Sequence, residues 1–320
     1  MLIYFILFLI SFVLTIIFIF PAKKISSDLD FYDNPSNDSL KVHKLPISFL
    51  GGGAMISSFL LTLTIVWFFK KNGFFDFRTS QLIALFIGSI IVWFYGFWDD
   101  IRWQQRLKMG QWAKIFFQIP IILALSLILF SAQIQWLFIP LAIIGILVSA
   151  FYFIFIINAA NIQDGLDGLL AGLVLISSIG FFIISFLTAN ILGLVLSSIV
   201  IGNTVAFLFF NWYPASIFMG NNGSYFLGFL MAVFAIMNTK PLNFVWLFGP
   251  LLILGMPLFN AGYVFLRRII YHQPLLSADR YHFYDFLHKI LGSVKKAVLI
   301  NYLIHIIFVA AGLIILIKLG

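Results

Sequence analysis

The chain has no cysteine. That excludes disulfides and thiolate metal sites, and it leaves the redox compartment unread. Glutamate is absent too: all eleven acidic residues are aspartate. Charged residues make up only 9% of the 320 positions. No polar run is long enough to form a soluble domain or a low-complexity linker, and no internal repeat is visible. The first twenty residues lack a basic n-region and a small-residue cleavage site. They read as a retained first span rather than a signal peptide. What remains is apolar: 62% hydrophobic, with 40 Phe and a mean hydropathy of +1.10. A soluble domain does not have this composition, so the expected class is an all-α polytopic membrane protein.

A span needs about 20 apolar residues. On that rule residues 1–320 form one integral-membrane domain with about ten transmembrane helices, near 3–20, 48–69, 81–98, 115–131, 137–157, 168–187, 191–210, 224–238, 243–266 and 297–317. The net charge is +8, and its distribution is more telling than its size. Fourteen of the nineteen cations fall in the loops after spans one, three, five, seven and nine. The positive-inside rule puts those loops in the cytoplasm and both termini outside. A basic balance of this origin argues for no nucleic-acid partner; the partner is the lipid bilayer. Ten of the eleven acids lie on the same face, with Asp76 the exception. Acids do not set topology, so the expectation is a cytoplasmic-face active site. The drawn spans contain no Asp, Lys or Arg, and His305 is their one ionisable group besides tyrosines. That disfavours an ion-coupled transporter, which usually carries such a residue near midplane.

One stretch concentrates the chemistry: Asn158 to Gly168, NAANIQDGLDG. An unpaired carboxylate in hydrocarbon costs roughly 3 kcal/mol on insertion scales, so Asp164 and Asp167 need a reason to be there. If the stretch is helical, Asn161, Asp164 and Asp167 follow at i, i+3 and neighbour one another. Gly165 and Gly168 would leave the backbone open to a bulky ligand. Such a set suits a divalent cation and a phosphate. A polar loop with helix-capping Asp and Asn is the plain alternative.

Four other stretches join it. Asp99 and Asp100 end span three; adjacent acids point about 100° apart on a helix, so at most one faces a given ligand directly. Arg102, Arg106, Lys108 and Lys114 follow, and a self-neutralising loop is the alternative. Lys41, His43 and Lys44 precede Gly51–Gly53, as phosphate binders or as a basic segment on anionic lipid. Gly220, Gly223 and Ser224 suit a turn whose N–H groups cradle phosphate, or a plain Gly/Asn turn. The last loop carries Arg267, Arg268, His272, Asp279, Arg280, His282, Asp285 and His288. Arginine's planar fork binds diphosphate bidentately, and histidine can carry a proton.

In this order and spacing, these motifs resemble the polyprenyl-phosphate hexosamine-1-phosphate transferases, glycosyltransferase family 4. The resemblance runs from VHKLP through DD, NAANIQDGLDG and NWYPASIFMGNNGS to ADRYH. It implies transfer of a sugar-1-phosphate from a UDP-N-acetyl-hexosamine to polyprenyl (undecaprenyl) phosphate, with release of UMP. It implies a bacterial plasma (inner) membrane location, Mg²⁺ or Mn²⁺ as cofactor, and a first step in surface-glycan synthesis of the O-antigen kind. A homodimer is compatible with it. Carried over by position, the catalytic set is Asp99, Asp100, Asp164, Asp167 and His282. The substrate-binding set is Lys44, Lys114, Asn158 and Arg280, and the metal ligands are Asn161 and Asn221. Tyr284 and Asp285 replace a fuller His cluster, which fits the surface-glycan branch better than the peptidoglycan one. Two further positions depart from the pattern. Asn221 stands where the family usually has an aspartate ligand, and Asn260 where relatives often have Asp. A neutral amide oxygen gives a hard cation less than a carboxylate does. The alternative reading is a non-catalytic relative that binds lipid phosphate within a glycan assembly complex.

Overall fold

A computed structural model describes residues 1–35, 45–104, 111–134, 142–240, 243–274 and 281–320; the side chains of residues 103, 104, 111–113 and 142 are not described. Twelve helices and two short strands are present among them. In order they are α1 (Leu2–Leu29), β1 (Tyr32–Asp33), β2 (Ile47–Ser48), α2 (Gly51–Lys71), α3 (Thr79–Gln104), α4 (Gln111–Ser131), α5 (Ala142–Ile162) and α6 (Leu169–Leu187). Then come α7 (Ile191–Asn211), α8 (Gly220–Met237), α9 (Phe244–Ile253), α10 (Gly255–Ile270), α11 (Phe283–Leu291) and α12 (Val294–Leu319). Helix dominates because hydrocarbon offers backbone groups no partner, so each must be satisfied within its own segment. Among the described residues nine helices are long and apolar enough to span, and the bent pair α9 and α10 brings the number to ten if it is counted as one span. The chain is a multi-pass membrane protein.

Helix α8 is the axis. Every residue from Asn222 to Ile236 is buried. Helices α3 and α5 pack along it, and α2 joins them. Close approach to α5 depends on Gly228, where a Cβ would stand 2.8 Å from the Ile157 Cα. Small residues let membrane helices meet backbone to backbone. Around this centre, α1 packs on α7 and α2, and α12 packs on α6 and α9. Strands β1 and β2 pair antiparallel, Tyr32 with Ser48.

The expected single span at 243–266 is broken instead. Helices α9 and α10 meet at Leu254 with a bend of 87°. Pro257 has no N–H to give the carbonyl of Ile253 four residues back. Ser177 Oγ donates to that carbonyl at 2.9 Å. On the other side of the break, the Met256 N–H donates to His305 Nδ1 at 3.3 Å. An acceptor at Nδ1 puts the proton on Nε2, which lies 2.8 Å from Ser177 Oγ and 3.1 Å from the Leu173 carbonyl. The one ionisable group besides tyrosines inside the drawn spans is therefore a neutral imidazole that closes a helix break.

Candidate active site

The acids converge where α3 ends, α8 begins and α5 turns into α6. Asp99 and Asp100 lie one turn before the end of α3 and face different partners. Lys114 Nζ lies 2.9 Å from both carboxylate oxygens of Asp99. The Asn221 side-chain amide donates to Asp99 Oδ2 at 3.1 Å, and the Tyr225 hydroxyl at 3.3 Å. Asp100 points at the start of α8. Its Oδ1 accepts the Asn221 N–H at 2.8 Å, and its Oδ2 accepts the Asn222 N–H at 3.0 Å and the Asn222 amide at 2.7 Å. The first N–H groups of a helix have no partner inside it. Asp100 supplies one from a neighbouring helix, and its charge sits at the positive end of the α8 dipole. In the turn expected to cradle a phosphate, the Asn221 and Asn222 N–H groups are directed at a carboxylate, and the Gly223 N–H donates to the Met219 carbonyl at 3.2 Å. Gly96 permits the approach: a Cβ there would meet the Asn221 carbonyl at 2.5 Å.

NAANIQDGLDG divides at Ile162, where α5 ends. Of the set expected to neighbour at i, i+3, only Asn161 lies on the helix, and Asp164 and Asp167 occupy the turn beyond. The Asn158 amide donates to Gln118 Oε1 at 2.9 Å and to the Ile154 carbonyl at 2.7 Å, bracing α5 against α4. The Asn161 amide donates to Asn221 Oδ1 and Ser224 Oγ, each at 2.8 Å. Asp167 Oδ2 accepts the Ala215 N–H at 2.8 Å. Asn211 reinforces that contact, accepting from the Gly168 N–H at 3.0 Å and donating to the Ile217 carbonyl at 2.9 Å. The turn and the Asn211–Ile217 loop therefore form one unit.

Asp164 differs from the other acids. Part of its surface stays accessible, and among the described residues no hydrogen-bond donor reaches its carboxylate. Burial, with the charges of Asp100 and Asp167 behind it, pushes its carboxyl up to about 7. Asn161 Oδ1 likewise meets no donor among these residues. The Asp164 carboxylate and the Asn161 amide oxygen, three positions apart and without a donor among the described residues, are hard oxygen ligands of the kind Mg²⁺ takes, with water and substrate phosphate to complete the set. Asn221 fits less well, because both ends of its amide are engaged, by Asp99 and by Asn161.

The last loop reaches the same turn. His282 is buried and caps α11, with its ring stacked on Tyr284 at 5.1 Å. The Tyr284 hydroxyl donates to the Ile162 carbonyl at 3.0 Å. The space expected for a ligand at Gly165 is occupied by the Tyr284 ring, so that glycine serves packing within the protein. Lys44 and Arg280 lie outside the described residues. Asn222, Tyr225, Asn211 and Gln118 were missed as site residues. Their signal was faint: polar side chains inside or beside apolar runs, with nothing local to say which acid each would meet.

Comparison with known proteins shows the family. Residues 82–239 match the family model described as glycosyl transferase family 4. The chain is 31% identical over 311 residues to a probable undecaprenyl-phosphate N-acetylglucosaminyl 1-phosphate transferase of Bacillus subtilis, covering 94% of this chain and 82% of that protein. It is 32% identical over 264 residues to the phospho-N-acetylmuramoyl-pentapeptide-transferase of Dictyoglomus turgidum, covering 79% and 80%. It is 28% identical over 295 residues to the undecaprenyl-phosphate alpha-N-acetylglucosaminyl 1-phosphate transferase of Thermotoga maritima, covering 91% and 83%. The matched segment holds Asp99, Asp100, Asn161, Asp164, Asp167 and Asn221, and the fold brings these residues to one end of one helix bundle. The chain belongs to glycosyl transferase family 4 and is a membrane-embedded transferase.

Proposed function

We propose that the protein transfers an N-acetyl-hexosamine-1-phosphate from a UDP-sugar to undecaprenyl phosphate at the cytoplasmic face of the bacterial plasma membrane. The attacking atom is an oxygen of the lipid phosphate. A bond forms from it to the β-phosphorus, the bond from that phosphorus to the bridging oxygen breaks, and UMP leaves with the electron pair. The names of the relatives support the lipid and the sugar class. The clustering of cations on the face that carries the acids supports the side of the membrane.

Phosphoryl transfer is mostly positioning and charge stabilisation. Asp99, held by Lys114, orients the lipid phosphate. Lys114, 2.9 Å from both Asp99 oxygens, brings a positive charge to the place where the lipid phosphate would sit. Asp164 and Asn161 are the residues that would hold Mg²⁺. Bound there, Mg²⁺ would neutralise charge on the diphosphate. Asp167 keeps the turn seated on the Asn211–Ile217 loop. His282 and Arg280 bind the diphosphate from the last loop. The reaction belongs to the start of a surface-glycan chain.

The observation that carries this reading is Asp164: a partly accessible carboxylate without a donor among the described residues, beside like charges, at the meeting point of the family's motifs. The test is UMP release by purified protein with undecaprenyl phosphate and Mg²⁺, across a panel of UDP-N-acetyl-hexosamines. Release that needs lipid, metal and one sugar is the expected result. No release from folded protein with any sugar would favour the second reading, a non-catalytic relative. One observation favours that second reading: the Asn221 amide already spans Asp99 and Asn161.

A further inference from the structure

Two residues that depart from the family pattern, Tyr284 and Asn260, hold the last loop against the acidic turn. Tyr284 is buried. Its hydroxyl donates to the carbonyl of Ile162 at 3.0 Å, one of the last carbonyls of α5, which have no partner within their own helix. Its ring lies over Gly165, where a Cβ would stand 2.1 Å from the Tyr284 hydroxyl. Its other side stacks on the His282 ring, nearly parallel at 11°. The backbone beside it is fixed as well. The Phe283 N–H donates to Asn260 Oδ1 at 2.9 Å, and Asn260 is fully buried in α10. The His282 N–H donates to Asp285 Oδ2 at 3.3 Å. One tyrosine thus joins the residue after Asp164 to His282 through direct contacts.

We propose that Tyr284 is a positioning residue of the transfer reaction, holding His282 at the Asp164 turn, with Asn260 securing the backbone behind it. The role in the reaction rests on the transferase reading above; the placement of His282 does not. Asn260 needs only its acceptor oxygen for this task, so an aspartate there would serve equally.

Two readouts test it. The first needs no activity: the rate at which diethylpyrocarbonate modifies His282 in the full-length protein, followed by mass spectrometry, with exposed His272 as the internal reference. Tyr284→Ala should accelerate modification of His282 about ten-fold or more, on the general rule that local opening sets the reactivity of buried groups. Tyr284→Phe, which keeps the stack and the cover over Gly165, should stay near the wild-type rate. An unchanged rate in Tyr284→Ala overturns the proposal. Should Tyr284→Ala fail to fold, Gly165→Ala drives a methyl group into the Tyr284 hydroxyl, and the same criterion applies to it. The second readout is kcat for UMP release. His282→Ala should lower it by about 10²-fold or more, the scale for loss of a group that stabilises charge in an active site. Tyr284→Ala should lower kcat nearly as far. The double variant should be no worse than His282→Ala alone, because Tyr284 acts through that histidine. Losses that multiply would mean that Tyr284 acts elsewhere, and they overturn the positioning role. If the wild-type protein releases no UMP while Tyr284→Ala still exposes His282, the transferase reading fails and the latch stands.

Discussion

Asp100 grips Asn222 twice: one carboxylate oxygen takes both the backbone N–H and the side-chain amide. Asn222 is fully buried, and its amide also donates to the Phe49 carbonyl at 3.0 Å. The pair ties the end of α3 to the start of α8 and to the segment before α2. Asp100→Ala would leave the Asn221 and Asn222 N–H groups without acceptors, at about 1–3 kcal/mol for each buried donor. Thermal unfolding in detergent should show a clear fall in Tm. Asp100→Asn should also destabilise, because its amide turns donors toward donors. A Tm equal to wild type in both variants would remove Asp100 from the α8 cap.

Asn221→Asp would place a carboxylate against Asp99, where the amide now donates at 3.1 Å. Without a divalent cation the two charges repel, so Tm in EDTA should drop below wild type. With Mg²⁺ the added charge should lower the concentration needed for half-maximal UMP release. An unchanged Mg²⁺ requirement in an active variant would show that this position is not a ligand.

Asp164 links pH to stability. Its carboxyl is raised from the ordinary 3.8 to about 7 by burial and by Asp100 and Asp167. Between those values the folded protein keeps a proton that the unfolded chain has released. Stability therefore falls as pH rises through that window, and the loss persists above it. Asp164→Asn removes this effect. In EDTA, its Tm relative to wild type should climb from pH 4 to pH 8, at a limit of about 1.4 kcal/mol per pH unit. Turnover should fall by about 10²-fold or more, the scale for loss of a charge-stabilising group in an active site. Full activity in Asp164→Asn would sink the site assignment, and a flat Tm difference would sink the linkage.

His305→Phe should destabilise the protein by about 1–3 kcal/mol, since it leaves the Met256 N–H without an acceptor at the helix break. Ser177→Ala should do the same through the Ile253 carbonyl. The double variant should lose less than the sum of the two, because both side chains belong to one network. Additive losses measured by thermal unfolding would show that the two contacts are independent.

Much of the site was legible from residue order alone, and the residues that hold it were not. Asp99, Asp100, Asp164 and Asp167 stand out in a chain with so few charges, because an acid beside an apolar run calls for a local reason. Gly165 was read as room for a ligand. Its space belongs to Tyr284, 119 positions later in the chain, and no local pattern connects the two. The last loop shows the same limit. His282 was visible as a candidate, while its support from Asn260 and Tyr284 depends on how α10 leaves the break at Leu254.

The sequence by itself determined the membrane class and the approximate spans, and it set the expectation of which face carries the chemistry. Those follow from transfer free energy and charge placement, which are summed residue by residue. Tertiary structure alone decided that α8 is the buried axis, since lipid and protein interior are both apolar and a hydrophobic run reads the same in either. It also decided that α9 and α10 form a broken span, and which donor each carboxylate meets. Hydrogen bonds depend on direction and distance across helices, and those are properties of the packed bundle rather than of any single segment.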